Sequence, residues 1–114
     1  MKKRKNESRT DSATDRVFRA MADPGRRQLM DRLRIEGGQS LNALCKGMTM
    51  SRQAVTKHLA ILEAADLVVL HWQGRERLHY LNAVPLYEIA KRWIMPFEVA
   101  SLDALHALKK QLED

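Results

Sequence analysis

The sequence predicts a mainly α fold with one β-hairpin, in the order α-α-α-α-β-β-α with an additional C-terminal helix. Three observations predict it. The stretch SLNALCKGMTMSRQAVTKHLAILE, Ser40 to Glu63, reads as a short helix, a four-residue turn containing Gly47, and a longer helix. The segment LVVLHWQGRERLHYLN follows at once, with two runs of β-formers on either side of Gly74. Elsewhere, apolar residues recur at helical spacing.

Taken in order, residues 1–12 are polar, charged and without apolar periodicity, which predicts a disordered basic N-terminal arm. Lys2, Lys3, Arg4, Lys5 and Arg9 stand there against Glu7 alone in the first ten residues. Val17, Phe18, Met21 and Ala22 then set a first helix from about Ser12 to Ala22. Asp23-Pro24 restarts the chain, with Asp at the cap and Pro at the first helical position. The second helix turns Leu29, Met30 and Leu33 inward and Arg26, Arg27, Arg32 and Arg34 mainly outward, and Gly37-Gly38 ends it.

In the helix pair, Ser40 can cap Leu41–Lys46, and Thr49 or Ser51 can cap a helix from Ser51 to about Ala65. Val55, Leu59 and Leu62, widened by Ala54 and Ile61, form its inward stripe. The opposite face opens with Ser51, Arg52, Gln53, Thr56 and Lys57, at the end of the helix that meets base edges in recognition helices. Arg pairs with guanine, Gln with adenine, and Thr with a base or a phosphate. Any soluble helix has a polar face. The short helix before it and the hairpin after it give this one its meaning. His58, on the same helix, packs inward or touches phosphate.

The hairpin is expected over Val68 to Gln73 and Arg77 to Asn82, with Arg75, Glu76 and Arg77 at its tip. On the second strand Leu78 and Tyr80 share one face, and Arg77, His79 and Leu81 the other. Such a hairpin after a recognition helix is a wing, whose basic tip can straddle a phosphate backbone or enter the minor groove. An ordinary hairpin also exposes charge at its tip, so position carries the distinction. Pro85 opens a further helix to about Ile94, and Pro96 breaks it. Leu102, Leu105, Leu108 and Leu112 then form an apolar stripe, with Trp93 and Phe97 just ahead. This stripe can fold back on its own core or pair with a second chain. Pairing has a functional reason, since two-fold dimers read palindromic DNA. The expected division is a DNA-binding domain over 13–95 and a dimerising helix over 96–114, with Val17 and Phe18 joining the interface.

At 114 residues the chain supports one domain and one core. Its formal charge of +6 favours polyanions, either nucleic acid or an acidic membrane surface. No apolar run is long enough for a membrane span, and the single cysteine, Cys45, excludes an internal disulfide and fits a reducing cytosol. A cytoplasmic protein with no membrane partner is therefore expected. No Gly-rich phosphate loop, HExxH spacing or nucleophile–base pairing supports an enzyme. RNA binding would call for exposed stacking aromatics. A winged-helix module for protein partners is the main alternative, and it would be expected to lose Arg52, Lys57, Arg75 and Arg77, which are present.

With this order of elements in place, VFRAMADPGRRQLMDRL, MSRQAVTKHLAILEAADLV and GRERLHYLN resemble the ArsR family of winged helix-turn-helix transcriptional regulators. The resemblance is close over about Ala13 to Ala83 and looser beyond. It implies a homodimeric cytoplasmic repressor, with terminal helices at the dimer interface and an inverted-repeat operator. Metal sensors of the family commonly carry Leu-Cys-Val-Cys on the first helix of the motif. Here Leu44-Cys45 matches the first half and Gly47 replaces the second cysteine. A lone thiol does not make a thiolate metal site. Asp103 and His106 share a face of the last helix, but no second His/Glu pair follows. No metal or cofactor is expected; a metal- or redox-responsive repressor using Cys45 is the alternative, and no ligand constellation points to an effector.

Overall fold

A computed structural model describes the backbone of residues 2–113 and the side chains of residues 11–113. Among these residues the elements run α1 (Lys2–Met21), α2 (Pro24–Ile35), α3 (Leu41–Lys46), α4 (Arg52–Ala64), β1 (Val68–Gln73), β2 (Glu76–Leu81), α5 (Val84–Trp93) and α6 (Val99–Glu113). The helix α1 starts earlier than the Ser12 boundary expected from apolar spacing; no Gly or Pro lies between Lys2 and Ser12 to interrupt it. The polyanion-binding role expected for the basic arm concerns side chains outside the described residues.

Caps define the middle helices as the sequence requires. The side chain of Asp23 accepts from the Arg26 backbone N–H, Ser40 from Ala43 and Ser51 from Ala54, at 3.1, 3.2 and 3.1 Å. One core forms where α1 to α4 meet the base of the hairpin. Leu29, Leu44, Val55, Leu62 and Leu67 are fully buried there, each helix contributing its apolar stripe.

Two of the four α2 arginines, Arg26 and Arg32, are partly buried and depart from the mainly outward placement expected of the set. Arg26 reaches back to the C-terminal carbonyls of α1, with Nε 2.6 Å from the Ala20 oxygen and a terminal nitrogen 3.0 Å from that of Arg19. Arg27 donates to the Met21 carbonyl at 2.6 Å. Arg32 donates to the carbonyls of Leu44 and Ala43 at the end of α3, and to Gln39 Oε1. Helix C-termini leave carbonyls without intrahelical partners, and a guanidinium several bonds from its own backbone can supply the donors. Arg27 stays exposed while making its bond, and Arg34 keeps a solvent-side place in an exposed pair with Asp31.

The hairpin pairs Val68 with Leu81 through to Gln73 with Glu76. The second strand thus starts at Glu76, one residue earlier than expected, and leaves a two-residue loop of Gly74 and Arg75. Gly74 takes a positive φ of 64°, as the first position of a type II′ turn demands. A lone bridge from Gln39 adds a minimal third strand beside β2, with the His79 N–H donating to the Gln39 carbonyl at 2.9 Å. Both faces of β2 are covered at this point. Leu78 and His79 are therefore both buried, although strict alternation would expose one of them.

The C-terminal helices behave differently. Neither α5 nor α6 contains a buried residue. Leu105, Leu108 and Leu112 are 58%, 51% and 78% exposed. The radius of gyration is 17.6 Å, against about 13 Å for a close-packed chain of similar length. The stripe on α6 is not folded back onto the core. Val17 corrects the expected interface, being only 3% exposed and part of the chain's own core; Phe18 beside it is 49% exposed. No described helix is long and apolar enough to cross a membrane.

Candidate nucleic-acid interface

The helix α4 presents its N-terminal polar face to solvent. Ser51, Arg52, Gln53, Thr56 and Lys57 are all exposed, while Val55, Leu59 and Leu62 on the other side anchor the helix. Ser51 spends its hydroxyl on the cap. Thr56 Oγ1 donates to the Arg52 carbonyl one turn back, at 2.9 Å, and so has its acceptor lone pairs free. Arg52 is held sideways by a hydrogen bond to Asn42 Oδ1 on α3. Asn42 was not legible as a site residue, because ten positions and a turn separate it from Arg52.

Between α4 and the hairpin lies an open cleft of about 370 Å³. Arg52, Thr56, Leu59 and Glu63 line it from α4, at spacings that keep one helical face turned to the hairpin. Trp72, Arg75, Glu76 and Arg77 line the opposite side. Arg75 is exposed at the tip, as expected. Arg77 is less free than its position suggested. One terminal nitrogen lies 3.8 Å from Glu63 Oε1, and the guanidinium stands over the Trp72 ring, 5.5 Å from its centroid. Glu63 and Trp72 were missed because they fall outside the polar N-terminal end of α4 and the hairpin tip, where sequence reasoning looked.

His58 turns away from the surface occupied by Arg52 and Gln53. It is half-buried against the start of α2, with Nδ1 3.4 Å from an Arg26 terminal nitrogen and Nε2 3.7 Å from Asp23 Oδ2. A guanidinium has no lone pair to offer, so Nδ1 is the acceptor and the ring proton sits on Nε2, facing the carboxylate. The Arg26 backbone N–H, with the charge of Arg26 and that of His58 in its protonated form, holds the Asp23 carboxyl below its usual range, against the opposing pull of desolvation. This cluster ties α4 to α2 and takes His58 out of the solvent-facing set.

Cys45 is half-buried and packs against the core, with no disulfide partner. Among the described residues no group of three or more His, Cys, Asp or Glu could hold a metal ion. On the far side of the molecule Phe18 and Trp93 pack ring against ring at 6.0 Å, and Phe97, Leu105, Leu108 and Leu112 extend the exposed apolar side chains, with Leu102 partly covered.

A capped recognition-type helix, a short helix set across its start and a hairpin flanking it define a winged helix-turn-helix protein. Comparison with known proteins gives the family. Residues 21–71 match the family described as a helix-turn-helix domain. The chain is 34% identical over 86 residues to the uncharacterized HTH-type transcriptional regulator YuzN of Bacillus subtilis (strain 168), spanning 70% of this chain and 94% of that one. It is 28% identical over 81 residues to the transcriptional repressor SdpR of the same organism, spanning 71% of this chain and 88% of SdpR. The solved structure of an ArsR-like transcriptional regulator from Rhodococcus sp. RHA1 is similar at a TM-score of 0.70 and 30% identity, over 90% of this chain and 94% of that one. The chain belongs to the ArsR family of winged helix-turn-helix regulators, and it is a DNA-binding transcriptional regulator.

Proposed function

We propose that this regulator is a cytoplasmic homodimeric repressor that binds an inverted-repeat operator. The observation that carries the reading is the exposed polar start of α4 beside the basic tip of the hairpin. In this reading α4 of each subunit lies in a major groove. Arg52, Gln53 and Thr56 read base edges, with Asn42 steadying Arg52; Ser51, Lys57 and Arg75 lie along phosphates. Repression is supported by the likeness to SdpR. Pairing is supported by the exposed apolar side chains of Phe18, Trp93, Phe97, Leu105, Leu108 and Leu112, which a second copy would cover. The protein acts as a binder and not as a catalyst, and needs no cofactor for this role.

The test is selection of bound duplexes from a randomised DNA pool at physiological salt, followed by sequencing. Enrichment of an inverted repeat with half-sites about one helical turn apart supports the reading. Salt-sensitive binding with no enriched sequence overturns it.

A further inference from the structure

Two acids line the basic cleft, Glu63 and Glu76, and of the two it is Glu63 that faces an arginine in an ion pair. Glu63 ends the α4 stripe that begins at Arg52, and it lines the same cleft as Arg52, Arg75 and Arg77. A carboxylate facing a surface meant for phosphates opposes binding, and it is only partly screened because the Glu63 side chain is 33% exposed. Its Oε1 lies 3.8 Å from an Arg77 terminal nitrogen, and the same guanidinium stands over Trp72. Arg77 therefore has two ties across or along the cleft. Arg75, two residues away at the tip, makes no ion pair among the described residues.

We infer that Glu63 is a positioning residue: it holds Arg77 across the cleft and out of phosphate contact, which limits sequence-independent binding. The inference rests on α4 and the wing being the DNA-binding surface. Phosphate contacts are what a regulator shares between its operator and all other DNA. Removing one from the wing lowers affinity for both, but a base-reading face keeps its advantage only at the operator. Glu63 thus leaves the wing one phosphate-binding arginine, Arg75, and lowers the salt-dependent part of affinity that operator and other DNA share.

The test is the salt dependence of binding to a duplex lacking the selected sequence, using the full chain. Each neutralised phosphate contributes about 0.9 to the slope of log affinity against log salt. Glu63→Gln is expected to steepen the slope by about 0.9 and raise affinity for the non-operator duplex. Glu63→Ala, which leaves no acceptor for Arg77, is expected to move both in the same direction. Arg77→Gln alone leaves the slope of the unmodified protein unchanged, and in the Glu63→Gln background it restores that slope. An Arg77→Gln variant that already flattens the slope would show Arg77 on phosphate and overturn the inference, as would Glu63 variants with an unaltered slope. Arg75→Gln separates the two levels of failure. If it flattens the slope, the DNA surface stands and only the role of Glu63 is at issue; if Arg75→Gln and Lys57→Gln both leave binding intact, the surface itself is misplaced. Thermal unfolding of each variant confirms that it is folded.

Discussion

In the half of the molecule built from α2, α3 and α4, Leu29, Leu44 and Leu62 are fully buried, and arginine side chains cap the ends of α1 and α3. In the half built from α5 and α6 no residue is buried, and leucines at regular helical spacing face solvent. The two halves have similar helical periodicity in sequence and opposite fates in the folded chain. The first is complete within one copy: its apolar stripes find each other and its stray carbonyls find donors. The second rests on the core only through α5, where Leu86 and Ile89 pack against it and Trp93 meets Phe18, and α6 leaves most of its apolar stripe uncovered within the chain. Stability is thus concentrated in the helix-turn-helix half. On the dimer reading, association is concentrated in the other.

Experiments can break or sharpen this contrast. The largest effect is expected from Leu105→Glu combined with Leu108→Glu. Sedimentation should show a monomer, and operator affinity should fall by roughly 10²–10⁴-fold as the two half-sites cease to be bound together. A dimer that survives at low concentration would place the interface elsewhere. Next comes stability. Leu62→Ala is expected to destabilise the protein by about 2–5 kcal/mol in denaturant unfolding, because it opens a cavity among fully buried neighbours. Leu112→Ala, at 78% exposure, should change monomer stability by less than about 0.5 kcal/mol. Equal effects would erase the distinction between the halves. A smaller and more local change is expected for Gln53→Ala, which should relax preference at one operator position at a cost of about 1–3 kcal/mol. Uniform weakening on every sequence would make Gln53 a backbone contact.

The smallest effect concerns the tie between α2 and α4. The folded Asp23 carboxyl lies below the ordinary value of 3.8. Its contribution to stability is complete above that pH and is lost as pH falls through the folded value. Asn can still accept at an N-cap but does not titrate. The advantage in melting temperature of the unmodified protein over Asp23→Asn should therefore shrink as pH drops below 3.8, and a constant gap would remove Asp23 from acid sensitivity.

Much of this arrangement was legible in the sequence where a residue acts through its immediate neighbours. Ser40 and Ser51 cap the helices they precede, Gly74 makes the hairpin turn, and Val55, Leu59 and Leu62 share a face because the helix repeats every 3.6 residues. Residues that act at a distance were not legible. The apolar pattern of α2 places Arg26 and Arg32 outside the core, but says nothing of where a flexible side chain finds a carbonyl. His58 and Asp23 are far apart in sequence and meet only once α4 crosses α2. Val17 and Phe18 are adjacent in the same apolar run; packing against the core separates a buried residue from a half-exposed one. At the candidate interface the exposed start of α4 was visible from its composition, whereas Asn42, Glu63 and Trp72 are brought to it by the turn and by the curl of the wing.

The turn at Gly47 has a consequence for how this sequence can change. A Cβ at that position would lie 2.9 Å from the Arg32 guanidinium. The guanidinium is the mobile end of a long side chain and can shift, and the same group holds the carbonyls of Leu44 and Ala43 and Gln39, so the shift disturbs those bonds. Placing a second thiol beside Cys45 is therefore a two-site problem. A side chain at position 47 crowds the donor at the end of α3, and a shortened residue at position 32 removes it. Positions 47 and 32 act on the same contacts, so changes at the two are expected to couple in stability and not simply add.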